Sequence, residues 1–380
     1  MRIGIDAHIL GKKKGGVETF LFQVIRQLAK IDDENEYVIY VDKRHTLKQE
    51  QLPSSFTIRV LPFTNPWFQR LLLLPYVYRS DRLDVIHTQR ALPLWGCKTS
   101  VLQVCDVDYK TNPESFKGTV TWIKSYLFRR SASRSTCIAT LSNASRNDIV
   151  KYYGVPGDKV FITGAAVDPS TFYVDDQAHD FRFDRYATLD GFVLFAGLLE
   201  RNKNIHTLIR AFARLRARGP EFESLSLVIV GGERFETGTG YRQELRRLVE
   251  HLDLHDKVVF TGYVPWRDLR MFMNRARMVV CPSLAEGFGL PPLEAMACGT
   301  PVIASRIPAM EEVCAGAALL VDPVDVQGVA GAMEQVLTNE ALSKELVRNG
   351  LGRSAQFTWE GTAAKLLDVY KTAYELGRGT

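Results

Sequence analysis

No apolar run of about 18 residues occurs anywhere in the 380-residue chain, so no transmembrane helix is expected. The six cysteines (Cys97, Cys105, Cys137, Cys281, Cys298 and Cys314) form no C-x-x-C pair and no metal-type spacing with histidine. They read as reduced core thiols of a cytosolic protein. Low-complexity tracts are missing, and the opening Met-Arg-Ile-Gly-Ile-Asp reads as a strand rather than a secretory leader. Neither half carries a full Gly-x-Gly-x-x-Gly after its first strand, which disfavours a dinucleotide oxidoreductase. Acidic residues are absent between Glu114 and Asp148, where six basic ones stand among Phe116, Trp122, Tyr126, Leu127 and Phe128. Such a segment fits an ordinary solvated helix face with its aromatics in the core. It also fits a peripheral contact through 115–135 with an anionic membrane, at about 1 kcal/mol per basic residue near the surface.

A chain of this length exceeds what one core usually serves, so two domains are expected. The net charge of +5 belongs to the first half: residues 1–180 hold 24 Lys/Arg against 19 Asp/Glu, and residues 181–380 hold 24 of each. No nucleic-acid partner is expected. Apolar strand-length runs alternate with amphipathic helical stretches throughout, in two halves that each open with a glycine turn. That pattern predicts two doubly wound parallel sheets.

The most informative stretch is 278–305. Met278 to Cys281 reads as a buried strand, Pro291 and Pro292 as a first helical turn, and Gly299 and Pro301 as its stop before a strand from Val302. Glu286 and Glu294 bracket the loop between them. Gly287 and Gly289 let backbone approach a ligand closely. A helix start attracts phosphate by roughly 0.3–1 kcal/mol. A carboxylate beside phosphate is repelled by it and instead suits hydroxyl groups. Loop and carboxylates together ask for a ligand that is part phosphate and part polyol, such as a nucleotide sugar. From the residues alone, a solvated turn followed by an acid-complemented helix start explains the stretch equally well.

Glu286-Gly-Phe-Gly-Leu-Pro-Pro-Leu-Glu294 and the following Ala-Met-Ala-Cys-Gly-Thr-Pro-Val-Ile-Ala-Ser305 resemble the signature of retaining glycosyltransferase family 4. The resemblance extends over nearly the whole chain. It implies the GT-B fold: two Rossmann-like domains facing across a cleft, with a C-terminal helix crossing back to the first. The implied layout is an acceptor-binding domain over 1–175, a linker at 176–190, a nucleotide-sugar domain over 191–358 and the returning helix at 359–380. Phe357-Thr-Trp359 precedes that helix, and its Trp is read as packing.

The resemblance also implies roles. Glu294 would accept hydrogen bonds from the ribose, and Glu286 would bind donor-sugar hydroxyls. Gly287 and the N–H groups of Phe288, Gly289 and Leu290 would face the diphosphate. Lys203 matches a lysine placed on the diphosphate, while the arginine that often follows the preceding glycine is here Leu198, with Arg201 a nearby substitute. Tyr263 and Val264 would meet the base. Gly15 and Gly16, in Gly-Lys-Lys-Lys-Gly-Gly, match a first loop facing the donor phosphates. A His-Asp pair expected near 105 is here Cys105-Asp106, which keeps Asp106 and loses the imidazole. Asp106-Val-Asp108 resembles the metal-binding Asp-x-Asp of the other great transferase fold, which this chain does not otherwise resemble. No metal and no cofactor are expected.

The reading is therefore a retaining hexosyltransferase with Glu286, Lys203 and Asp106 as catalytic residues. The preferred donor is GDP-mannose over UDP-glucose or UDP-N-acetylglucosamine, and the acceptor a glycan or lipid-linked hydroxyl. The protein would be cytoplasmic, at the inner face of the membrane where it associates. Alternatives are a sugar-nucleotide epimerase and a nucleotide-sugar-binding subunit that has lost catalysis.

Overall fold

The structure is a computed structural model that describes residues 1–12, 15–61, 74–89, 91–93, 95, 98–107, 119–180, 191–233 and 240–379. The chain forms two compact units, Met1–Ala165 with Thr358–Thr380, and Ala166–Phe357.

In the first unit the strands are β1 (Arg2–Asp6), β2 (Glu36–Val41), β3 (Phe56–Val60), β4 (Val85–Gln89), β5 (Ser100–Gln103), β6 (Cys137–Thr140) and β7 (Val160–Ile162). They pair in parallel in the order β3-β2-β1-β4-β5-β6-β7. Its helices are α1 (Gly16–Ile31), α2 (Leu74–Ser80), α3 (Thr119–Arg134) and α4 (Asn143–Tyr153). Every residue of β4, β5 and β6 is buried. Parallel strands covered on both faces lack the polar alternation of a half-exposed sheet, and here β4 and β5 bury polar residues at their carboxyl ends as well. Residues 62–73 lie outside the described ones, and α2 is described from Leu74.

The second unit holds β8 (Phe192–Ala196), β9 (Ser226–Val230), β10 (Val258–Gly262), β11 (Met278–Cys281), β12 (Val302–Ser305) and β13 (Leu319–Val321). Their parallel order is β10-β9-β8-β11-β12-β13. The helices are α5 (Ile205–Arg216), α6 (Tyr241–His251), α7 (Trp266–Arg275), α8 (Leu290–Ala297), α9 (Pro308–Cys314), α10 (Val326–Thr338) and α11 (Glu340–Ser354). Phe195, Leu208, Phe212, Leu227 and Met333 lie in one buried cluster that joins α5 and α10 to the sheet. Both sheets reverse direction once, at β1/β4 and at β8/β11. Open α/β sheets bind ligands outside the carboxyl ends of the strands at such a reversal.

The last helix, α12 (Trp359–Arg378), belongs to the first unit. Its Trp359 ring meets Phe20 of α1 edge-on at 6.0 Å, so the Trp is packing. The stretch 171–175 is bound to α7 of the second unit: Arg270 Nη2 lies 3.2 Å from Asp175 Oδ2 and Asn274 Nδ2 donates to the Tyr173 carbonyl at 3.0 Å. The chain thus passes between units at Ala165/Ala166, ahead of the polar stretch at 176–190 expected as linker; residues 181–190 lie outside the described ones.

Tyr370 of α12 also reaches the sheet, with its hydroxyl 2.6 Å from His87 Nδ1 on β4. Burial pushes the His87 imidazole down to about 4, against a smaller opposing pull from Asp6. Its folded pKa lies below the unfolded one, so only the unfolded chain takes up the proton between about pH 6.5 and 4. Stability is therefore full above pH 6.5 and falls as pH drops through that window, by roughly 3 kcal/mol at 1.36 kcal/mol per unit. Urea unfolding followed against pH should show this slope, and His87→Gln should flatten it. Tyr370→Phe leaves the buried Nδ1 without its partner and should cost about 1–3 kcal/mol at pH 7.5.

Candidate active site

The site is built at the β8/β11 reversal of the second unit. After β8 the chain turns at Gly197, and after β9 at Gly231, whose φ is 137°. A Cβ on Gly231 would stand 1.8 Å from the Gly197 carbonyl oxygen, so only glycine permits these two strand ends to touch. A 3-10 turn over Arg201–Lys203 follows and ends on Asn204 in the left-handed region at φ 55°, a conformation asparagine tolerates better than most residues.

Asn204 locks this turn to the loop after β11. Its Nδ2 donates to the carbonyls of Pro282 at 3.0 Å and Pro323 at 2.6 Å, and its Oδ1 accepts from Thr207 Oγ1 at 2.7 Å. The Leu284 N–H donates to the Asn202 carbonyl at 2.7 Å. The clamp brings Lys203 Nζ to 2.6 Å from Glu286 Oε1, with both side chains mostly shielded (18% and 14% exposed). Ser283 Oγ donates to the same carboxylate oxygen at 2.7 Å.

Beyond Glu286, Gly289 stands at the start of α8 with φ 112°. Pro291 and Pro292 have no N–H, so the donors of this helix start are concentrated in Phe288, Gly289 and Leu290. Among the described residues none of those three N–H groups bonds another backbone group. Glu294 lies one turn further, 7% exposed, with no side-chain partner among the described residues. Loss of solvent raises its carboxyl to about 8. A ligand offering hydroxyl donors would relieve that cost.

Arg201 stands apart from this group. Its Nη2 lies 2.6 and 2.7 Å from the two oxygens of Glu244 on α6, and its guanidinium is 5.3 Å from the Tyr241 ring centroid. Tyr263 and Val264 follow β10, two strands from β8 and so about 10 Å away along the same edge. Tyr263 is well exposed. In the first unit, Gly15 caps α1 and Gly16 opens it, at the carboxyl end of β1, and the loop is closed by the Gly11 N–H donating to Glu18 at 2.7 Å. Asp106 follows β5 there, half-buried, beside a buried Cys105 whose sulfur lies 3.9 Å from Gln103 Nε2. Lys13, Lys14 and Asp108 lie outside the described residues. The structure thus gathers Lys203, Glu286, Glu294 and the loop between them in the second unit; Gly15, Gly16 and Asp106 belong to the first. Asn204, Ser283 and Glu244 were not singled out from sequence; Asn204 alone left a trace, as an asparagine directly after the turn lysine. No cluster of three or more metal-binding side chains occurs among the described residues.

Two Rossmann-type units with a lysine–glutamate pair at a glycine loop define a GT-B glycosyltransferase. The glycosyl transferases group 1 profile matches residues 179–353, and the glycosyltransferase family 4 profile matches residues 14–171. O-antigen chain mannosyltransferase B of Escherichia coli is 31% identical over 70% of this chain and 68% of that protein. Serotype-specific mannosyltransferase WbdA of Escherichia coli is also 31% identical, over 68% of this chain and 32% of that protein, so the chain spans about a third of that relative. The sucrose-phosphate synthase of Thermosynechococcus elongatus shares the fold with a TM-score of 0.78 at 21% identity, over 98% of both chains. HepE of Anabaena, solved with UDP-glucose, does so at 0.77 and 18%, over 98% of this chain and 100% of that one. The chain belongs to glycosyltransferase family 4.

The clamp is open to test. Asn204→Ala removes three hydrogen bonds and places a Cβ residue without a polar side chain in the left-handed region. It should cost about 2–3 kcal/mol in chemical unfolding. A loss under about 0.5 kcal/mol would mean that the two loops are held by other contacts.

Proposed function

We propose that the protein is a retaining hexosyltransferase that moves mannose from GDP-mannose to a hydroxyl of a glycan or lipid-linked acceptor. The observation that carries this reading is the Lys203–Glu286 pair, 2.6 Å apart at the sheet reversal and next to the Phe288, Gly289 and Leu290 N–H groups, which bond no other backbone group among the described residues. In the structure Lys203 and Ser283 both donate to Glu286. A nucleotide sugar replaces both partners at once, with its diphosphate on Lys203 and its sugar hydroxyls on Glu286. Glu294 takes the ribose hydroxyls, Phe288, Gly289 and Leu290 face the diphosphate with Gly15 and Gly16, and Tyr263 and Val264 meet the base.

As the glycosidic bond breaks, negative charge grows on the leaving diphosphate and positive charge on the sugar carbon. Lys203 and the loop N–H groups stabilise the first, which is usually the largest catalytic contribution. Glu286, held by Ser283, orients the sugar and balances the second. The leaving phosphate oxygen takes the acceptor proton on the same face, so configuration is retained, and Asp106 serves the acceptor side. With Lys203 carrying the charge, the reaction proceeds without a metal. Mannose is supported by the names of the two Escherichia coli relatives. No helix among the described residues is long and apolar enough to cross a membrane. A peripheral, cytoplasmic membrane contact through 115–135 is supported by α3, where Ile123 (58% exposed) and Tyr126 (62%) share a face with Arg129 and Arg130; residues 115–118 lie outside the described ones.

A thermal-shift screen against GDP, UDP and their hexose conjugates tests the donor, since a bound nucleotide raises the melting temperature. GDP-mannose should give the largest shift. Lys203→Ala should lower turnover at least about tenfold, or 1.36 kcal/mol. Arg201→Ala, already engaged by Glu244, should lower it less than about threefold. An excess of EDTA should leave the rate unchanged; loss of activity restored by a divalent ion would refute the metal-free mechanism. Binding to the ionised form of Glu294 should release a proton at pH 7, so donor affinity should rise as pH increases toward 8. Calorimetry in buffers of different ionisation enthalpy reads that proton.

A further inference from the structure

The donor loop faces a positional problem. Its N–H groups at Phe288, Gly289 and Leu290 make no backbone hydrogen bonds among the described residues, so the backbone ladder does not fix it in place. The clamp and the Lys203 and Ser283 bonds hold the loop up to Glu286, and side-chain packing holds its far end. Phe288 is buried, and its ring meets Phe357 edge-on at 5.7 Å and 83°. A Cβ on Gly289 would stand 2.9 Å from Met310 Sδ, so the loop backbone lies directly against α9.

Both contacts lead to one segment. Arg353, near the end of α11, donates from Nε to the Val313 carbonyl and from Nη2 to the Glu312 carbonyl, each at 2.8 Å. Its planar fork thereby caps the last turn of α9, the helix that carries Met310. Its Nη1 donates to Gln356 Oε1 at 2.6 Å, and its guanidinium lies 4.7 Å from the Phe357 ring centroid. One turn earlier Gly350 lets α11 approach α8: a Cβ there would stand 3.1 Å from Met296 Cγ and 3.5 Å from its Cα. The contacts close a ring, from Phe288 to Phe357, Arg353, α9, Met310 and back to Gly289.

We propose that Gly350–Phe357 is a brace that sets the position of the donor loop, with Phe357 and Arg353 as positioning residues for nucleotide-sugar binding. The inference rests on the reading that the loop and α8 hold the donor. Neither side chain needs to touch the ligand. Phe357 seats Phe288, whose own N–H faces the diphosphate, and Arg353 fixes the helix against which Gly289 rests. Displacement of the loop by about 1 Å is enough to misdirect three donors at once.

The test is calorimetric titration of the full chain with GDP, UDP, GDP-mannose and UDP-glucose, using whichever binds wild type as the probe. Phe357→Ala should weaken that Kd about tenfold. Phe357→Tyr keeps the ring and should restore it to within about twofold. Arg353→Ala should weaken binding about fivefold or more, and Arg353→Lys, which cannot span both carbonyls, should not rescue it. Val336→Ala, in the buried cluster of the same unit, is the control for general destabilisation and should leave the Kd unchanged while lowering the melting temperature. If Phe357→Ala does not fold, Phe357→Leu and the Arg353 pair read the same quantity. Equal Kd in wild type and in both positions' variants overturns the brace and leaves the donor reading standing, as does an equal loss in Val336→Ala. A wild type that binds none of the four probes overturns the donor reading and the brace with it.

Discussion

The second unit's site depends on one clamp, the tie between the turn after β8 and the loop after β11. Asn204 and Leu284 hold two loops from neighbouring strands together. Their joining leaves Lys203 and Glu286 no choice but to pair. A partly shielded ion pair of this kind adds little net stability, because desolvation offsets most of the attraction. Its value lies in selectivity. On the proposed reading, a ligand offering only phosphate draws Lys203 away from Glu286, one offering only hydroxyls draws Glu286 away from Lys203, and a molecule with both compensates the two sides of the opened pair. The same logic explains why Arg201 is peripheral: Glu244 already supplies both acceptor oxygens that its fork needs.

The two units share a strand order yet differ at the corresponding place. In the first, the ends of β1 and β4 carry the buried Asp6, whose Oδ1 lies 2.6 Å from His8 Nδ1, and the buried His87 and Gln89, and α12 closes over His87. In the second, the ends of β8 and β11 lead into the charged pair. The architecture permits a ligand at either reversal, and the side chains decide what chemistry each offers. His87 illustrates the point. Fully enclosed, it is held neutral, and its bond to Tyr370 makes it an anchor for the returning helix rather than an acid or base.

Much of this was legible in the sequence, for identifiable reasons. Strands covered on both faces leave largely apolar runs, and strand-end turns leave glycines, so the alternation and the 286–294 loop could be read directly. The return of α12 to the first unit came from family resemblance, because periodicity reveals that a helix has a buried face and not which sheet covers it. Polar partners were the hardest to foresee. Ser283 and Asn204 are ordinary turn residues until tertiary structure gives them acceptors. Arg201 was expected at the phosphates and is found on a glutamate 43 positions away. The passage between units was expected at the acidic stretch after 175. Composition marks exposure, however, and the segment 171–175 is fixed to α7 by Arg270 and Asn274.

Glu294 gives the last step, because its environment is assembled from residues that withhold partners. A helix start normally offers four unbonded N–H groups, any of which can serve a nearby carboxylate. Pro291 and Pro292 remove two of them while still favouring the helical turn. The remaining donors stand at the helix start, at Phe288 to Leu290, and Glu294 lies within the helix, 7% exposed. Burial raises its carboxyl to about 8. On the proposed reading the prolines thus separate two functions of the loop, phosphate attraction at the helix start and a buried carboxyl one turn on, which a vicinal diol would relieve.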